Sequence, residues 1–544
     1  MTNYLPTTIE NDDLGLILSC VFFDKEWYLT ANPDVAEAKV DPATHFLYTG
    51  GVEGRAPGPG FSSRWYLDAY EDVRLAGVNP LIHYLKYGKA EGRIALSLQN
   101  VDDLRLIEDS DLFDRDWYLA KYPDVAELKL SPAFHYMYYG GFEGRDPGER
   151  FSSAFYLDLY EDVKQAGVNP LVHYLRYGQV EGRIAHFRNT SNLPDTFFGS
   201  FLKLIDESMP NWYEDNYDYL RFGDMQLTAS SSDEKEVVDS HIIAYGFVKP
   251  YLSRFAWLFD KLADNESKSI FLKTLAFRAL GYRKVKLPLS TPSYWDEIKK
   301  IEQLADFMDE FPVTYLGLNW QLPLINLESI GIPIKFYGSP SGVHQEFILE
   351  QYRCNDIQVE AGDVVIDAGA CWGETALYFS HRAGDSGQVF SYEFVSENLD
   401  VLERNIKLNP NIAGNIHIIR RAIWSESNIR LAFATNGPAT CVSANETISD
   451  AVYTSTLSID DLVDQNNLKK VDFIKMDIEG AELQALKGAV STLKRFKPKL
   501  AIAVYHDLKD FYEIPQYLNS LDIGYRFFLR HFSIHSEETI LFAR

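Results

Sequence analysis

A glycine-containing loop with an acidic residue at its start and another after its last glycine lies near residue 370 of the 544-residue chain. It runs from Asp367 to Thr375 and has the sequence DAGACWGET. Glycines let a backbone approach a ligand closely and adopt dihedral angles that other residues avoid. A dinucleotide site uses G-x-G-x-x-G to hold a pyrophosphate, whereas this loop has G-x-x-x-G. We therefore expect the acidic loop to bind a cationic ligand that has an amino group.

Glu393 is the second candidate, because it closes the next predicted strand 26 residues after Asp367. A carboxylate at this position can accept hydrogen bonds from both hydroxyls of an unmodified ribose. A ligand with both an amino group and a free adenosine ribose is S-adenosylmethionine. The predicted cofactor-binding residues are Asp367, Gly369, Ala370, Cys371, Gly373, Thr375, Glu393 and Phe394.

The elements that position these residues alternate between short apolar strands and helices after about residue 335. This alternation predicts a doubly wound α/β sheet that binds its ligands at the carboxyl ends of the strands. The predicted strands are Val364–Asp367, Val389–Glu393, Ile416–Ile419, Phe473–Asp477 and Lys499–Tyr505, followed by an antiparallel hairpin through Tyr525–His531 and Thr539–Ala543. The predicted helices between them include Glu374–His381, Asn398–Leu408 and Ala481–Leu486. The expected fold is therefore Rossmann-like, with seven strands and a terminal antiparallel hairpin.

A longer motif, FIKMDIEGAELQALKGA, begins at Phe473. Together with VVIDAGACWGET, VFSYEF, STLSIDDL, LAIAVYHD and FFLRHF, it makes roughly the last 200 residues resemble the FkbM-type methyltransferases. The resemblance implies a class I methyltransferase fold and S-adenosylmethionine as the methyl donor. It also implies O-methylation, usually of a sugar or a natural product.

Candidate catalytic residues follow the later strands. Methyl transfer from a sulfonium is an in-line displacement, so the enzyme must position both reactants and remove one proton from the acceptor oxygen. A sugar hydroxyl is a poor nucleophile at neutral pH and needs a base or a metal. Asp477 and Glu479 follow the strand that begins at Phe473, His506 follows the next strand, and His531 stands near the end of the penultimate strand. We predict a catalytic role for these four residues.

Two mechanisms fit this set. In the first, His506 is a general base that Asp477 or Glu479 orients. In the second, Asp477 with His506 or Asp507 holds a divalent metal such as magnesium that polarises the hydroxyl, as in the similar macrolide sugar and catechol O-methyltransferases. A lone histidine among carboxylates favours the first, since magnesium prefers oxygen ligands. Two purely structural interpretations remain open: Glu479 caps the following helix, and His531 is a hydrogen-bonded histidine at the edge of a strand. Lys475 receives no role.

The N-terminal part contains four 29-residue versions of one sequence unit, and the second pair follows the first by 90 residues. Each version holds an Asp, a His and a closing Glu-Gly-Arg, and a capping residue followed by Pro predicts a two-turn helix such as Pro80–Tyr87. A glycine such as Gly88 is expected in the left-handed position after that helix. The four versions are Trp27–Arg55, Trp65–Arg93, Trp117–Arg145 and Phe155–Arg183.

These units have two interpretations. They could form a row of sugar-binding pockets, or their Asp, Arg and His side chains could pair inside each unit. The second is favoured, because helices this short need internal contacts. The array resembles the repeats often attached to bacterial glycosyltransferases and sugar-modifying enzymes, which implies a glycan context.

The predicted domains are an N-terminal tail over residues 1–20, the all-α repeat array over 21–188, a helical connector over 195–335 and the methyltransferase domain over 340–544. A Ser/Asn/Pro-bearing stretch near Asn189–Pro194 ends the array. In the connector, Phe247–Leu280 and Tyr294–Phe311 carry apolar residues at helical spacing. The connector could dock the repeats, cover the active site or form a dimer.

Composition restricts the partners. A formal charge of −26 disfavours nucleic acid and anionic lipid. The four cysteines have no metal-ligand or disulfide spacing, so a reducing compartment is expected. The stretch Met1–Ser19 lacks the basic start of a secretory signal, and no apolar run is long enough to span a bilayer. We predict a soluble cytoplasmic protein with a saccharide or glycoconjugate acceptor. An oligomer is compatible with the sequence.

The predicted function is O-methylation of a sugar in a bacterial surface polysaccharide, glycolipid or glycosylated metabolite. One alternative keeps the fold and changes the acceptor to a non-sugar molecule. Amine acceptors in nucleic acid are disfavoured, because Asp-Ile-Glu-Gly stands where N-methyltransferases often have Asn-Pro-Pro-Tyr. The other alternative is a catalytically inactive glycan-binding or scaffold protein. The intact Asp367, Gly369, Gly373 and Glu393 argue against it.

Overall fold

The computed structural model of the protein describes residues 10–127, 131–186, 195–218, 240–315, 318–443 and 452–544. The chain divides into two compact units, residues 1–192 and 193–544. This division lies in the stretch Asn189–Pro194, whose residues are outside the described part. The predicted boundary between the connector and the methyltransferase domain lies inside the second unit. No helix in the described ranges is both long enough and apolar enough to cross a membrane.

The first unit is helical. Part of the predicted N-terminal tail forms helix α1, whose Ile17 is fully buried. The helices of this unit are α1 Glu10–Ser19, α2 Lys25–Ala31, α3 Pro33–Glu37, α4 Pro42–His45, α5 Ser63–Ala69, α6 Glu71–Ala76, α7 Pro80–His83, α8 Leu98–Glu108, α9 Arg115–Lys121, α10 Pro123–Glu127, α11 Pro132–His135, α12 Ser153–Leu159, α13 Glu161–Ala166 and α14 Pro170–His173. Helices α4, α7, α11 and α14 each continue into one π-helical turn.

The helix starts follow from their capping residues. Asn79 accepts hydrogen bonds from the backbone N–H groups of Leu81 and Ile82, and Pro80 occupies the first helical position, where no donor is needed. The expectation of left-handed glycines at the ends of these short helices is wrong. Those glycines lie inside the π-helical turns, and the Glu-Gly-Arg glycines have the positive φ instead. These four Glu-Gly-Arg glycines, with φ between 68° and 83°, are Gly54, Gly92, Gly144 and Gly182.

Glycine is needed at the end of each π-helical turn because another group approaches it closely, not because its backbone is left-handed. A Cβ atom on the glycine that ends each π-helical turn would collide with a tyrosine hydroxyl from the first helix of the same segment. That hydroxyl also lies 3.0–3.1 Å from Nδ1 of a histidine in the same segment. The pairs are Tyr28 with His45, Tyr66 with His83, Tyr118 with His135 and Tyr156 with His173.

The second unit begins with five helices in its described ranges, α15 Phe197–Ser208, α16 Ser240–Val248, α17 Leu252–Lys261, α18 Asn265–Leu280 and α19 Pro292–Glu302. They agree with the helical pattern predicted for Phe247–Leu280, which breaks between α17 and α18. Helix α18 covers the edge of the large sheet: Ser267 Oγ accepts a 2.9 Å hydrogen bond from the Leu529 N–H, and Arg530 forms a 2.9 Å ion pair with Asp264.

The prediction of a helix through Phe311 is wrong beyond Glu302, so the connector is not purely helical. A three-stranded antiparallel sheet follows α19, with the strands β1 Ala305–Tyr315, β2 Leu318–Asn326 and β3 Lys335–Tyr337. Pro312 explains the difference, because a proline breaks a helix interior but is tolerated in an edge strand. Strand β1 is such an edge strand, paired only with β2 in this sheet.

The seven-stranded sheet confirms the predicted α/β architecture. Its order is β12-β13-β11-β10-β4-β5-β6, and β13 is antiparallel to both of its neighbours. The strands are β4 Val364–Ala368, β5 Gln388–Tyr392, β6 Ile416–Ile419, β10 Phe473–Met476, β11 Lys499–Ala503, β12 Phe527–His531 and β13 Thr539–Ala543. Strands β7 Arg430–Phe433, β8 Val442–Ser443 and β9 Val452–Ser455 form a further small sheet that the sequence pattern did not predict.

Helices connect and cover this sheet. They are α20 Pro340–Val343, α21 Glu374–Ala383, α22 Ser396–Leu408, α23 Ile459–Gln465, α24 Glu482–Lys487, α25 Val490–Phe496 and α26 Asp510–Ser520. The parallel strands β4 and β10 are adjacent at the centre of the sheet, and the chain crosses over in opposite directions on either side of them. Sheets of this kind bind ligands beyond the carboxyl ends of the strands at such a switch point.

Candidate active site

Two adjoining cavities open beyond the carboxyl ends of β4, β5 and β10. The smaller has about 560 Å³ of empty space including its mouth, and the larger about 1470 Å³. Both are lined by Gly369, Cys371, Asp477 and Glu479. Four of the predicted site residues therefore surround one continuous region.

The loop after β4 lies tightly over the end of β10. Gly369 has φ +88°, and a Cβ atom there would collide with the carbonyl oxygen of Asp477. Gly373 has φ +95° at the start of α21, and Cys371 takes a positive φ of 47° without being glycine. Non-glycine residues rarely adopt this conformation, and they do so mostly at functional sites. The Ala370 N–H donates to the carbonyl of Tyr392 at 3.0 Å and ties the loop to β5.

Asp367 lies behind this loop. It is fully buried, it is absent from the lining of both cavities, and it accepts hydrogen bonds from the hydroxyls of Thr375 at 3.0 Å and Ser391 at 3.2 Å. The structure therefore gives Asp367 and Thr375 a supporting position. Thr375 also borders the larger cavity.

Lys475 is a residue that the sequence analysis left without a role. Its Nζ lies 3.4 Å from Asp367 and donates to the Gly369 carbonyl at 2.6 Å. Burial lowers the pKa of Lys475, but the charges of Asp367, Asp477 and Glu346 outweigh this effect and raise the pKa above its usual value. The signal was present in the sequence, since Lys475 is the one charged residue in the buried strand Phe473–Met476.

Glu393 stands at the end of β5 and lines the smaller cavity together with Phe394. Its carboxylate accepts hydrogen bonds from the N–H groups of Phe394 at 2.6 Å and Val395 at 2.7 Å, and from Asn398 Nδ2 at 3.2 Å. Burial raises the pKa of Glu393 to about 7, against the lowering effect of these bonds. The carboxylate is thus held rigidly in a poorly solvated position that borders the cavity.

A histidine stands among three carboxylates at the ends of β10 and β11. His506 Nε2 lies 3.4 Å from Glu479 and 3.5 Å from Asp477, and Nδ1 lies 3.4 Å from Glu482. Burial lowers the pKa of His506, but contact with Glu482 and the charges of Asp477 and Glu479 raise it to about 10. The ring is therefore protonated at neutral pH. Tyr505 donates its hydroxyl to Asp477 at 3.0 Å.

Glu479 borders both cavities in a left-handed backbone conformation with φ +55°. Burial raises its pKa to about 7, while the cation of His506 lowers it. A carboxylate whose pKa lies near neutrality is suited to accept a proton during catalysis. Its position and its pKa both favour Glu479 over His506 for that task.

Potential metal ligands also lie in this cluster. One ligand atom each of Asp477, Glu482 and His506 lies within 4.8 Å of the others. Glu482 was not predicted as a ligand. Asp507 was predicted as a ligand, but it is not part of this group. Its carboxylate instead accepts a 3.0 Å hydrogen bond from the N–H of Lys509.

His531 does not meet the expectation that it faces the site. It is absent from the lining of both cavities, its Nδ1 lies 2.8 Å from the Thr539 hydroxyl, and its Nε2 lies 3.2 Å from the Ser533 hydroxyl. Burial lowers its pKa to about 3, so the ring is neutral. These contacts fit the structural interpretation, in which His531 is a hydrogen-bonded histidine at the edge of a strand.

The far wall of the larger cavity comes from residues that the sequence analysis did not select. Helix α19 contributes Tyr294 and Trp295, strand β2 contributes Trp320, and the segment before β4 contributes Glu346 and Tyr352. Aromatic residues alone are a weak signal in a sequence, because most of them belong to a core. Only the tertiary fold brings these side chains together at the cavity.

This combination of a seven-stranded sheet and a cleft at its central switch point defines a methyltransferase-like α/β domain. Residues 366–527 match the family model of the Methyltransferase FkbM domain. The second unit therefore contains an FkbM methyltransferase domain.

Individual relatives resemble parts of the chain. It is 27% identical over 137 residues to the hexuronic acid methyltransferase AglP of Haloferax volcanii, a match that covers 25% of this chain and 54% of that protein. The chain thus spans about half the length of this curated relative. The crystal structure of methyltransferase FkbM from Methylobacillus flagellatus KT is 22% identical, with a TM-score of 0.35 over 56% of this chain and 62% of that one. Aeropyrum pernix fibrillarin with natively bound S-adenosyl-L-methionine is 12% identical, with a TM-score of 0.25 over 44% of this chain and 84% of that one.

Proposed function

We propose that the protein transfers the methyl group of S-adenosylmethionine to a hydroxyl of a sugar. The observation that carries this proposal is the continuity of the two cavities. The smaller is bordered by the glycine loop and Glu393, and it meets the larger, aromatic-walled one at Asp477 and Glu479. The first suits the methyl donor, the second suits the acceptor, and the carboxylates stand where the two would react.

The residues present fit the donor. The space that a Cβ would need at Gly369 is already occupied, which is the close backbone approach expected of a cofactor loop. Glu393 would accept hydrogen bonds from the ribose hydroxyls, and Phe394 would cover the adenine side of the smaller cavity. S-adenosylmethionine supplies an electrophilic methyl group on its sulfonium when bound. Ala370, Cys371 and the backbone of the loop would surround its amino acid end.

In this proposal Glu479 accepts the proton from the attacking hydroxyl. His506 already holds a proton among its carboxylates, so its role is to orient Glu479 and Asp477 and to balance their charge. This proposal reverses the roles of the first mechanism in the sequence analysis. The carboxylate is the base, and the histidine is the group that positions it. A divalent cation on Asp477, Glu482 and His506 would be the alternative way to activate the hydroxyl.

A sugar acceptor is supported by two observations. Aromatic side chains wall the larger cavity, and such walls pack against the C–H faces of sugar rings. The relative named above is a hexuronic acid methyltransferase. Together with the resemblance of the N-terminal repeats, they support an acceptor in a bacterial surface polysaccharide, glycolipid or glycosylated metabolite. We expect the reaction to occur in the cytoplasm.

For the N-terminal unit we propose a repeated scaffold. In each of its four segments an arginine forms a 2.7 Å ion pair with an aspartate 21 residues earlier. Each segment also repeats the tyrosine–histidine contact between residues 17 positions apart. These side chains bind one another within a segment, which supports the internal-pairing interpretation over a row of sugar pockets. The aspartate–arginine pairs are Asp34–Arg55, Asp72–Arg93, Asp124–Arg145 and Asp162–Arg183.

The first experiment is a calorimetric titration of S-adenosylhomocysteine into the wild-type protein, Glu393→Ala and Glu397→Ala, each with and without magnesium. We expect the affinity to fall at least about 30-fold in Glu393→Ala, because two hydrogen bonds to a charged carboxylate are lost. The exposed Glu397, four residues further on, is the matched control and should bind like the wild type.

No binding to a folded wild-type protein would overturn the enzymatic proposal and leave a binding or scaffold function. Equal affinity in Glu393→Ala and the wild type would place the ribose elsewhere. A methyl-transfer rate that depends on added magnesium and is abolished by Glu482→Gln would favour the metal mechanism.

A further inference from the structure

We propose that the acceptor is a sugar ring without a carboxylate or phosphate, either uncharged or bearing an amino group. This inference rests on the proposed function and names the chemical class that the larger cavity selects. It is carried by the charge of the lining, by a buried carboxylate oxygen without a partner, and by the origin of the acceptor wall.

The lining is strongly acidic. Among the described residues, the carboxylates that border the larger cavity are Asp218, Glu346, Glu374, Asp477, Glu479 and Glu538. The cationic lining residues in those same ranges are Lys475 and, when protonated, His535. Lys475 lies 3.4 Å from Asp367, and His535 Nε2 lies 3.8 Å from Asp218. Both cations already stand beside carboxylates, so neither is available to pair with an anionic sugar.

Glu346 contributes the most specific observation. Its Oε2 is buried and has no hydrogen-bond partner among the residues that the structure describes. A buried oxygen without a donor is costly, and in a binding cavity the missing donor is supplied by the ligand. Sugar hydroxyl and ammonium groups are such donors, whereas a second carboxylate is not.

The electrostatics of the lining point the same way. Burial, helped by the charge of Glu374, raises the pKa of Glu346 well above its usual value, and burial raises the pKa of Glu374 to about 7. A bound anion would raise these pKa values further, whereas an ammonium group would lower them, so the lining favours an uncharged or cationic ligand over an anionic one. The methyl donor carries one net positive charge, which balances only part of the acidic lining.

The acceptor wall lies outside the family domain. Tyr294, Trp295, Trp320 and Glu346 all precede residue 366, where the match to the FkbM domain begins. The family domain therefore does not determine the acceptor by itself, and the hexuronic acid of the relative does not transfer with these four residues. Indole faces attract cations as well as C–H groups, so this wall suits an amino sugar and an uncharged sugar equally.

The test compares matched acceptors on the full-length protein with S-adenosylmethionine. Three sets of methyl glycosides, with gluco, galacto and manno configuration, each contain the parent sugar, its 6-carboxylate and its 2-amino derivative. S-adenosylhomocysteine release measures transfer. We expect kcat/KM for the parent or amino sugar of one set to exceed that of its 6-carboxylate by about tenfold or more.

Preference for the 6-carboxylate in every set that reacts would overturn the inference. Tight S-adenosylhomocysteine binding without transfer to any of the sugars would also overturn it, while leaving the donor site intact. Loss of S-adenosylhomocysteine binding in the wild type would instead be a failure of the proposed function, so the two failures are distinguishable.

A variant links the selectivity to the cavity. Glu346→Gln replaces the ionisable carboxyl group by an amide with little change in shape and should shift the ratio of 6-carboxylate to parent sugar by about threefold or more toward the carboxylate. Asp385→Asn removes an exposed carboxylate in the loop between α21 and β5 and is the matched control, with no expected shift. Equal ratios in Glu346→Gln and Asp385→Asn would overturn the assignment to Glu346.

Discussion

The two units use the same kinds of polar side chain in opposite ways. In the first, every segment repeats one aspartate–arginine pair and one tyrosine–histidine pair, and these aspartates are more than half exposed. In the second, Glu482 is buried and Glu346 and His506 are partly buried, and each keeps a side-chain polar atom without a hydrogen bond to any described residue. Paired groups hold a fold together, whereas buried groups that lack partners are ready to bind a ligand or move a proton.

The comparison also explains why a repeated motif is weak grounds for assigning a binding site. The repetition in the N-terminal unit is accounted for by contacts that every short helix needs from its neighbours. In the second unit the important side chains occur once each and come from distant parts of the sequence. Perturbing one member of each set should therefore affect stability in one unit and chemistry in the other.

The largest effect on stability is expected for Lys475→Met. The substitution leaves Asp367, whose side chain is fully buried, without its cation. Breaking a buried ion pair by removing one partner typically costs about 3–5 kcal/mol. Urea unfolding should show this loss, and hydrogen exchange should increase in peptides that cover the loop 367–375.

The exposed Lys494→Met is the control and should change the free energy of unfolding by less than about 0.5 kcal/mol. A similarly small effect for Lys475→Met would mean that Asp367 does not need the cation, and Lys475 would then be free to act on a ligand.

The second effect is catalytic. Glu479→Gln should lower kcat about 100-fold, the lower end of what a general base contributes. In the wild type, kcat/KM should rise as the pH increases through about 7, because Glu479 must lose its proton before it can accept another. The variant should lack this rise while it still binds S-adenosylhomocysteine. The Glu397→Gln protein should keep the wild-type profile.

If the rise near pH 7 persisted in Glu479→Gln, another group would be the base. His506→Asn should then be measured, because a base role for the histidine predicts loss of the pH dependence there. A positioning role predicts instead a shift of the rise to higher pH, since the cation that lowers the pKa of Glu479 is gone.

The smallest effect is expected in the first unit. Tyr118→Phe removes the hydroxyl that contacts His135 Nδ1 at 3.0 Å in a buried position. The loss of one neutral hydrogen bond should cost about 1 kcal/mol of stability. Affinity for S-adenosylhomocysteine should be unchanged. Tyr87→Phe, at a tyrosine that is 56% exposed, is the control for both measurements.

A marked loss of methyl transfer in Tyr118→Phe, with its stability and donor affinity retained, would contradict the comparison. It would show that the repeats take part in the reaction and not only in maintaining the fold. Melting of the first unit, followed by hydrogen exchange, separates that outcome from simple unfolding.

The sequence by itself determined the seven-stranded sheet, because apolar strands and amphipathic helices have periods that can be read along the chain. It also indicated the glycine loop, Glu393, Asp477 and Glu479, which stand directly after such strands. The short motif around FIKMDIEGAE pointed to the methyltransferase domain, which the family match over residues 366–527 supports. Local signals of this kind need no knowledge of distant contacts.

Only the tertiary structure decided the rest. Helix continued past Glu302 in the prediction, but pairing between β1 and β2 and the proline at 312 made that segment a strand. The partners of His506, the burial of His531 and the Lys475–Asp367 contact join residues far apart in sequence. So does the acceptor wall of Tyr294, Trp295 and Trp320. Burial and pKa depend on what surrounds a side chain in space, and one sequence pattern is compatible with many such surroundings.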